Sequence, residues 1–339
     1  MTRTFDIAVV GVSGLVGAAM LEILHEREFP IGKLYPLDVA DAAGGSASFG
    51  RRDLPVGDVA GFDFSQVQIA LFSAGAAVAA QYAPKAAVEG CVVIDNSAAF
   101  RLDPEVPLVV PEVNPEALAN YDKRGIVANP TCTVTLLALA LKPLLDAAGI
   151  ERVNVVTYQA VSGSGREAVE ELGRQTADLL SFREVKPKAY PKQIAFNLLP
   201  LVGALDEDGH SAEELRLRHE TARILGDALR VNATAVRVPV FYGHSAAVHL
   251  ETREPLAAAR ARELLGQAPG LELLDEPTAD GFPTPVSEAS GQDAVFVGRV
   301  RQDPENARGL NLWLTGDNIR KGAALNAVQI AEQLSRDYL

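Results

Sequence analysis

The sequence contains little cysteine: its 339 residues include only Cys91 and Cys132. Two cysteines are too few for a disulfide framework or for a metal site of the zinc-finger type, and we predict no bound metal. The N-terminus lacks a basic region followed by an apolar stretch, which predicts that there is no signal peptide. We therefore expect the protein to work in a reducing compartment, the cytoplasm.

Long apolar runs and clusters of positive charge are also missing. The longest apolar run, Val134 to Leu141, is stopped by Lys142 and is too short to cross a bilayer. The formal net charge is -13, whereas proteins that bind nucleic acids usually carry a basic patch. We predict neither a membrane nor a nucleic acid as a partner, and an anionic ligand would have to be held by a few local arginines.

The first residues predict a dinucleotide-binding domain. The chain length suggests two domains, and Phe5 to Gly11 is typical of a buried strand. Glycines at 11, 14 and 17 follow, and then an amphipathic helix that extends to about Arg27. A strand, a glycine turn and a helix in this order suit a dinucleotide whose pyrophosphate lies on the helix N-terminus. Tight strand-to-helix turns need glycine anyway, so the motif alone is a weak signal.

Short apolar strands continue through the first 130 residues. We predict strands at 33–39, 68–73, 91–95, 108–110 and 125–128, with a helix at 77–89. Strands that alternate with helices indicate a mostly parallel sheet.

The later part of the chain has strands in runs. We predict strands at 152–161, 294–301 and 310–315, a β segment at 232–252 broken near Gly243, helices at 167–180, 212–225 and 255–265, and an irregular stretch at 187–200. This order indicates an α+β domain with a largely antiparallel sheet. Residues 318–339 are predicted to form one amphipathic helix that returns to the first domain. The predicted dinucleotide-binding domain is 1–132 with 316–339, and the second domain is 133–315.

Cys132 follows a short apolar run and precedes a long apolar helix that begins near Val134. The N–H groups and the dipole at a helix N-terminus lower the pKa of a thiol, which makes it a nucleophile. The alternative is that Cys132 is a small buried apolar residue, as most free cysteines are. The six residues 128–133 alone favour that alternative.

Short motifs elsewhere in the chain favour the hypothesis that Cys132 is a nucleophile. In chain order these are Val9 to Gly17, Asp95-Asn96-Ser97, Phe100-Arg101, Val109 to Asn114, Asn129-Pro130 with Cys132, Thr157 to Gly163, Gln193 to Asn197, Arg237 to Val240, Gly243-His244-Ser245, Asp317-Asn318 and Lys321 to Ala324. Together they resemble aspartate-β-semialdehyde dehydrogenase over nearly the whole chain.

The resemblance implies an α/β Rossmann-type dinucleotide-binding domain plus an α+β catalytic and dimerisation domain, in a homodimer or homotetramer. The implied enzyme is an oxidoreductase that interconverts aspartate β-semialdehyde and aspartyl-β-phosphate through a cysteine thioester, with a nicotinamide cofactor and phosphate. In the family this reaction belongs to lysine, threonine and methionine biosynthesis. Its physiological direction there is reductive.

The resemblance also implies roles for individual residues. Cys132 would be the nucleophile, His244 the general acid/base and Gln159 an orienting group, although Gln159 alone would be an ordinary polar strand residue. Substrate-binding residues would be Arg101, which holds phosphate, Glu220, which binds the amino group, Arg223, which stands in for a lysine, Arg237, which holds the carboxylate, and Asn129. Cofactor-binding residues would be Gly11, Ser13, Gly14, Leu15, Val16, Gly17, Asp41, Ser73, Gly75, Ser162, Gly163 and Asn318.

Spacing tests some of these assignments. Arg237 and His244 are seven residues apart, which on an unbroken strand places them on opposite faces, so we predict a bend at Gly243. Glu220 and Arg223 are three apart and would share one face of a helix. An isolated Glu or Arg on a charged helix is otherwise a solvated surface residue.

The sequence departs from the family at several places: Thr131 replaces an asparagine, Ala246 replaces a glutamate, and Asp41 replaces the arginine that holds the 2′-phosphate of NADP. The loop from Ser73 to Ala77 also lacks the Gly-Ser that usually follows Gly75. A carboxylate there would repel a 2′-phosphate and accept hydrogen bonds from a free ribose. The resemblance alone implies NADP, while Asp41 favours NAD. The competing hypotheses are an NAD-preferring enzyme, a non-catalytic Usg-1-like paralogue that acts by binding or assembly, and an enzyme for a related semialdehyde.

Overall fold

The computed structural model describes residues 3–339. The chain divides into a first unit, Met1–Thr131 with Ala323–Leu339, and a second unit, Cys132–Gly322. The domain boundaries predicted from the sequence place Cys132 and residues 316–322 in the first domain instead. Cys132 and residues 316–322 belong to the same unit in the structure. A Cβ atom built on Gly322 would lie only 2.7 Å from the Cβ of Cys132.

Both units of the described chain combine strands with α-helices, and in each unit several strands follow one another along the chain. The strands are β1 (Phe5–Val10), β2 (Ile31–Asp38), β3 (Ser46–Phe49), β4 (Arg52–Pro55), β5 (Gly57–Asp58), β6 (Ile69–Phe72), β7 (Val92–Asp95), β8 (Ile126–Ala128), β9 (Ile150–Gln159), β10 (Arg230–Arg237), β11 (His244–Thr252), β12 (Leu271–Leu273), β13 (Val295–Asp303) and β14 (Asn306–Gly316). The helices are α1 (Leu15–Glu26), α2 (Ala76–Val88), α3 (Cys132–Ala148), α4 (Arg166–Leu180), α5 (Ala212–Leu225), α6 (Ala258–Gln267) and α7 (Leu325–Asp337).

The first unit is built on a six-stranded sheet in the order β5-β2-β1-β6-β7-β8. All of its strand pairs are parallel, which confirms the predicted parallel sheet. Strands β6 and β7 are buried along their whole length, as expected when helices cover both faces. Helix α7 packs against α1 within this unit.

Two local predictions were wrong, and one hairpin was missed. Residues 108–110 form only an isolated bridge from Leu108 to Ala128, because the flanking Pro107 and Pro111 lack the N–H groups that a strand needs. The β3–β4 hairpin, which turns at Gly50 with φ +59°, was not predicted because its short strands carry no apolar run. The last helix begins at Leu325 rather than 318, after a π-helical turn over Arg320–Ala324.

The second unit contains a six-stranded sheet in the order β10-β9-β11-β14-β13-β12. Its three inner pairs are antiparallel and its two outer pairs are parallel, so the predicted largely antiparallel sheet is confirmed. Helix α3 packs on one face across β9, β11, β13 and β14, and also contacts α5 and α6. Its side chains are therefore mostly buried, which explains the long apolar run in the sequence.

Across residues 3–339, no helix combines the length and the apolarity that a membrane span requires.

Candidate active site

The glycine loop of the first unit lies tightly against the end of β6. Gly11 has φ +91°, and a Cβ atom there would lie 2.7 Å from the backbone nitrogen of Ala74. A Cβ atom on Gly17 would lie 2.1 Å from the carbonyl oxygen of Gly11. Gly14 and Gly75 precede α1 and α2, and neither helix has a side-chain cap. Two helix N-termini thus keep N–H groups for an anionic ligand, which fits the pyrophosphate of a dinucleotide.

The carboxylate that contacts the glycine loop belongs to Asp38, the last residue of β2. Its Oδ2 accepts hydrogen bonds from the Ser13 backbone N–H at 2.9 Å and the Ser13 hydroxyl at 2.5 Å. Asp38 is buried, whereas Asp41 is exposed in the turn that follows the strand. Asp41 was the carboxylate predicted to bind the ribose, but β2 ends at Asp38 and the turn begins two residues later.

The remaining predicted residues of the loop lie close to it. Leu15 and Val16 form the half-buried first turn of α1. The Ser73 hydroxyl donates to the carbonyl of Val10 at 3.0 Å.

Arg101 is buried, and it holds the chain segment that leads to Cys132. Its Nε donates to the carbonyl of Asn129 at 2.8 Å, its Nη2 to the carbonyl of Asn96 at 2.6 Å, and its Nη1 to the Thr131 hydroxyl. The Asn129 amide donates to the Asn96 side chain and, at 3.1 Å, to the carbonyl of Ala323. Thr131, the departure from the family pattern, therefore serves as an acceptor for Arg101.

Cys132 is the first residue of α3, so the predicted position at a helix N-terminus is confirmed. Its side chain is only partly buried, whereas Cys91 is buried. Burial, with a smaller contribution from Glu89, raises the pKa of the Cys91 thiol. Since Gly322 leaves no room for a side chain beside Cys132, the backbone at 322 fixes one wall around the thiol.

Gln159, the last residue of β9, is buried beside the carboxylate of Glu213. The Gln159 Nε2 donates to Glu213 Oε1 at 2.9 Å and to the Thr157 hydroxyl at 3.2 Å. The Thr133 hydroxyl, one residue after Cys132, donates to the same Oε1 at 2.8 Å. A buried carboxylate therefore connects the first turn of α3 with the end of β9.

His244 is buried, and one of its ring nitrogens has no partner. The Nδ1 accepts a hydrogen bond from the backbone N–H of Ala160 at 3.1 Å. The Nε2 has no hydrogen-bond partner within residues 3–339. Burial, followed by the nearby guanidinium of Arg237, holds the pKa of His244 well below its usual value. The Arg237 Nη1 in turn donates to the carbonyl of Ala160 at 2.6 Å.

The side chains of Arg237 and His244 lie close together beside Gly163. A Cβ atom on Gly163 would lie 2.9 Å from Arg237 Nη1 and 3.1 Å from His244 Nε2. The chain between them turns at Gly243, which has φ +87°, so the predicted bend is confirmed. Asn318 stabilises the arrangement, because its Oδ1 accepts from the Gly243 N–H at 3.0 Å and its Nδ2 donates to the Ser162 hydroxyl at 3.0 Å.

Glu220 and Arg223 both lie on α5. Glu220 is buried and Arg223 is half-buried, so the alternative of a solvated surface residue is wrong for Glu220. Ala246, the other departure within the second unit, is buried on β11 directly opposite Thr157.

Thr133 and Glu213 are residues of this site that were not predicted from the sequence. A signal for Glu213 was present in the pair of glutamates after Ser211. Glu214 completes a capping box with Ser211, which leaves the second carboxylate, Glu213, without a capping task.

The fold and these residues match two family models. A semialdehyde dehydrogenase NAD binding domain matches residues 6–121, and a semialdehyde dehydrogenase dimerisation domain matches residues 141–321. The chain is thus a two-domain semialdehyde dehydrogenase that uses a nicotinamide cofactor.

Individual relatives narrow the family further. The aspartate-semialdehyde dehydrogenase of Shewanella violacea is 53% identical over 339 residues, 100% of both chains. That of Legionella pneumophila is 51% identical over 340 residues, which are 100% of this chain and 98% of that protein. The crystal structure of aspartate semialdehyde dehydrogenase II from Vibrio cholerae has a TM-score of 0.97 and 48% identity, and it covers 99% of this chain and 100% of that chain. The chain belongs to the aspartate-semialdehyde dehydrogenase family.

Family membership confirms the enzymatic interpretation, and the alternative of a non-catalytic paralogue is not supported. A second Vibrio cholerae structure, with the same TM-score and identity, is described as complexed with ASA.

Proposed function

We propose that the chain interconverts aspartate β-semialdehyde and aspartyl-β-phosphate, and works in the reductive direction in amino-acid biosynthesis in the cytoplasm. The observation that carries this proposal is the pair formed by Arg237 and His244 beside Gly163. A buried ring nitrogen without a partner, next to a guanidinium, suits a substrate with a carboxylate and a reacting carbonyl oxygen. The related Vibrio cholerae enzyme complexed with ASA supports the same substrate.

Cys132 forms the covalent intermediates. In the oxidative direction its thiolate attacks the aldehyde carbon, a C–S bond forms, and the product is a thiohemiacetal. The nicotinamide cofactor, when bound, accepts the hydride that leaves this carbon. A thioester remains, and a phosphate oxygen attacks its carbonyl, which breaks the C–S bond, releases the Cys132 thiolate and yields the acyl phosphate.

His244 donates a hydrogen bond to the reacting oxygen. Its Nδ1 accepts the Ala160 N–H, so the neutral ring carries its proton on Nε2, the nitrogen that has no partner. The Nε2–H is therefore available to donate to the oxygen of the thiohemiacetal. The lowered pKa of His244 keeps the ring neutral, which suits a hydrogen-bond donor to a developing oxyanion rather than a permanent cation.

The other polar residues bind the substrates. We assign the α-carboxylate to Arg237, the amino group to the buried carboxylate of Glu220, and phosphate to Arg101 and Arg223. Asn129 holds the turn before the nucleophile through its contacts with Asn96 and Ala323. The role of Arg101 combines phosphate binding with the clamp on Asn129 and Thr131 described above.

We propose NAD as the preferred cofactor. Asp38 ends β2 and contacts the glycine loop, and Asp41 lies three residues later in the exposed turn. A carboxylate in this position accepts hydrogen bonds from a ribose hydroxyl and repels a 2′-phosphate. Gly11 and Gly17 let the loop backbone pack closely, and the uncapped N-termini of α1 and α2, which follow Gly14 and Gly75, would offer N–H groups to the pyrophosphate.

We also propose a homodimer, or a homotetramer formed from two dimers. The matched family model is described as a dimerisation domain. One face of the second sheet is covered by α3, whereas the other presents half-exposed residues, among them Tyr158 and Trp313, whose rings are 5.5 Å apart. A second copy of the chain would bury this face.

The function is tested by assaying the reduction of NAD and of NADP side by side, with aspartate β-semialdehyde, in the presence and absence of phosphate. We expect phosphate-dependent turnover, and we expect Cys132→Ser to abolish it while the far-UV circular dichroism spectrum stays unchanged. Iodoacetamide should label Cys132 much faster than the buried Cys91. Turnover that survives in Cys132→Ser, or equal labelling of the two cysteines, would contradict the mechanism.

A further inference from the structure

The Glu213 carboxylate is an unusual group to find in the second unit, because it is buried and yet lies outside the set of residues assigned to the substrate. Only 4% of the residue is exposed. Its Oε1 accepts hydrogen bonds from Thr133 and Gln159, and its Oε2 lies 3.5 Å from Arg216 Nη1. Glu213 also stands in the first turn of α5, where the helix dipole favours a negative charge. The carboxylate is therefore stabilised in place.

Glu213 determines which way the Gln159 amide faces. A carboxylate has no hydrogen to donate, so it pairs only with the NH₂ end of the amide. The second hydrogen of the same NH₂ is directed to the Thr157 hydroxyl. Reversal of the amide would place its carbonyl oxygen against the carboxylate, which is repulsive. The carbonyl oxygen of Gln159 is thus the polar atom left for other partners.

We propose that Glu213 is a positioning residue that fixes the Gln159 amide with its carbonyl oxygen presented to the bound substrate. Gln159 then acts as a hydrogen-bond acceptor at the site, for a donor such as the substrate ammonium group. Thr133, next to the nucleophile, supplies the second hydrogen bond that holds the carboxylate. This inference rests on the proposed function, because it concerns how the site binds an aminated semialdehyde.

The test is a double-mutant cycle in the full-length enzyme with its cofactor. Glu213→Gln keeps the size of the side chain but offers both a donor and an acceptor, so it no longer dictates the orientation of Gln159. We expect kcat to fall by about 100-fold, the size of effect that a misplaced site group produces. In the Gln159→Ala background the same substitution should change kcat less than about twofold, because coupled residues are not additive.

Two variants control for a purely structural effect. Glu214→Gln is the same substitution one residue along α5, at the capping box, and it should leave kcat within about twofold. Thr133→Val removes one donor to Glu213 while the contact with Gln159 remains, so we expect a smaller loss than for Glu213→Gln. Additive effects of Glu213→Gln and Gln159→Ala, or an equal loss in Glu214→Gln, would overturn the proposal.

The outcome separates this proposal from the proposed function. If the wild type turns over aspartate β-semialdehyde but the effects of Glu213→Gln and Gln159→Ala are additive, only the positioning role is refuted. If the wild type does not turn over aspartate β-semialdehyde, the proposed function fails, and the Gln159 side-chain NH₂ resonances in ¹⁵N–¹H spectra still report the contact. We expect them to shift in Glu213→Gln and to stay in place in Glu214→Gln. Resonances unchanged in Glu213→Gln would overturn the positioning role without any assay.

Discussion

Asp38 and Asp41 have different surroundings although they are only three residues apart. Asp38 is buried and accepts two hydrogen bonds from Ser13, whereas Asp41 is exposed. The basic residue Arg52 lies on the β3–β4 hairpin with its guanidinium 5.9 Å from the centre of the Phe49 ring. Asp38 thus stabilises the glycine loop through its hydrogen bonds, whereas a substitution of Asp41 would remove no buried contact.

Exchange of Asp41 should therefore change cofactor preference with little effect on folding. We expect the wild type to bind NAD at least about tenfold more tightly than NADP, which corresponds to about 1.4 kcal/mol. Asp41→Arg should shift the preference toward NADP, because a guanidinium replaces a repelling carboxylate. Titration of both cofactors against both proteins measures this. Tighter binding of NADP by the wild type would refute the assignment.

His244 should make folding sensitive to acid. Its pKa in the folded protein lies well below the ordinary value of about 6.5, because of burial and then Arg237. Between the ordinary pKa and the lower pKa of the folded protein, the unfolded chain takes up a proton that the folded chain does not. The free energy of unfolding therefore falls as the pH drops below about 6.5. Above about pH 7.5 the ring is neutral in both states and contributes no pH dependence.

Urea unfolding at pH 7.5 and pH 5.5, at one protein concentration, measures this contribution. We expect the wild type to lose more stability between the two values than His244→Asn, by up to about 1.4 kcal/mol for each pH unit below 6.5. Other titrating groups cancel in the comparison. An identical pH dependence in the two proteins would show that His244 is not held neutral.

At the scale of residues, the sequence predicted those parts of the site that local patterns determine. The position of Cys132 followed from the short apolar run before it and the long apolar helix after it, and the bend at Gly243 followed from an odd spacing on a strand. Glu213 was not predicted, because its partners Thr133 and Gln159 are 80 and 54 residues away in the chain. Asp41 rather than Asp38 was predicted to bind the ribose, because the end of β2 cannot be located to one residue from composition.

Among the elements, α5 has the greatest concentration of residues assigned to the site. It carries Glu213, Glu220 and Arg223, and its start is fixed by a capping box between Ser211 and Glu214. The Ser211 hydroxyl accepts from the Glu214 N–H at 3.3 Å, and the Glu214 carboxylate accepts from the Ser211 N–H at 2.7 Å. The predicted start of α5 at residue 212 is correct, and the structure shows that Ser211 and Glu214 have the spacing and contacts of a capping box.

Loss of this cap should weaken the whole helix. We expect Ser211→Ala to lower the free energy of unfolding by about 1 kcal/mol, since one N–H at the helix start loses its acceptor. Ser211→Asp, which retains an acceptor, is the matched control and should lose less. Denaturant unfolding monitored by circular dichroism measures both variants. Equal stability of Ser211→Ala and the wild type would mean that the cap contributes nothing.

Elements without a local signal were the ones the sequence missed. The β3–β4 hairpin is short and largely exposed, so it shows no apolar alternation. The π-helical turn over Arg320–Ala324 depends on Asp317, whose Oδ1 accepts the N–H groups of Ile319 and Arg320 at 2.8 and 2.9 Å. Its geometry is set by the approach of Gly322 to Cys132, a contact between distant parts of the chain.

For the molecule as a whole, the uncovered face of the second sheet predicts association. Sedimentation at micromolar concentration should give at least twice the chain mass of 36.0 kDa. Trp313→Glu would place a charge on this face and should shift the distribution toward the monomer. Lys142→Glu, on α3 at the other side of the sheet, is the control and should leave it unchanged. A stable monomer of the wild type would contradict the prediction.

The first unit is completed by the last residues of the chain. Helix α7 packs on α1, and Arg27 at the end of α1 forms an ion pair with Glu332 at 2.7 Å. During synthesis, all of Cys132–Gly322 must leave the ribosome before α7 is available. At about 5–20 residues per second that interval is roughly 10–40 s. The nascent chain thus carries an unfinished, apolar surface on α1 throughout this time. The strands made first belong to the unit finished last, which makes this chain a candidate for chaperone capture before its release.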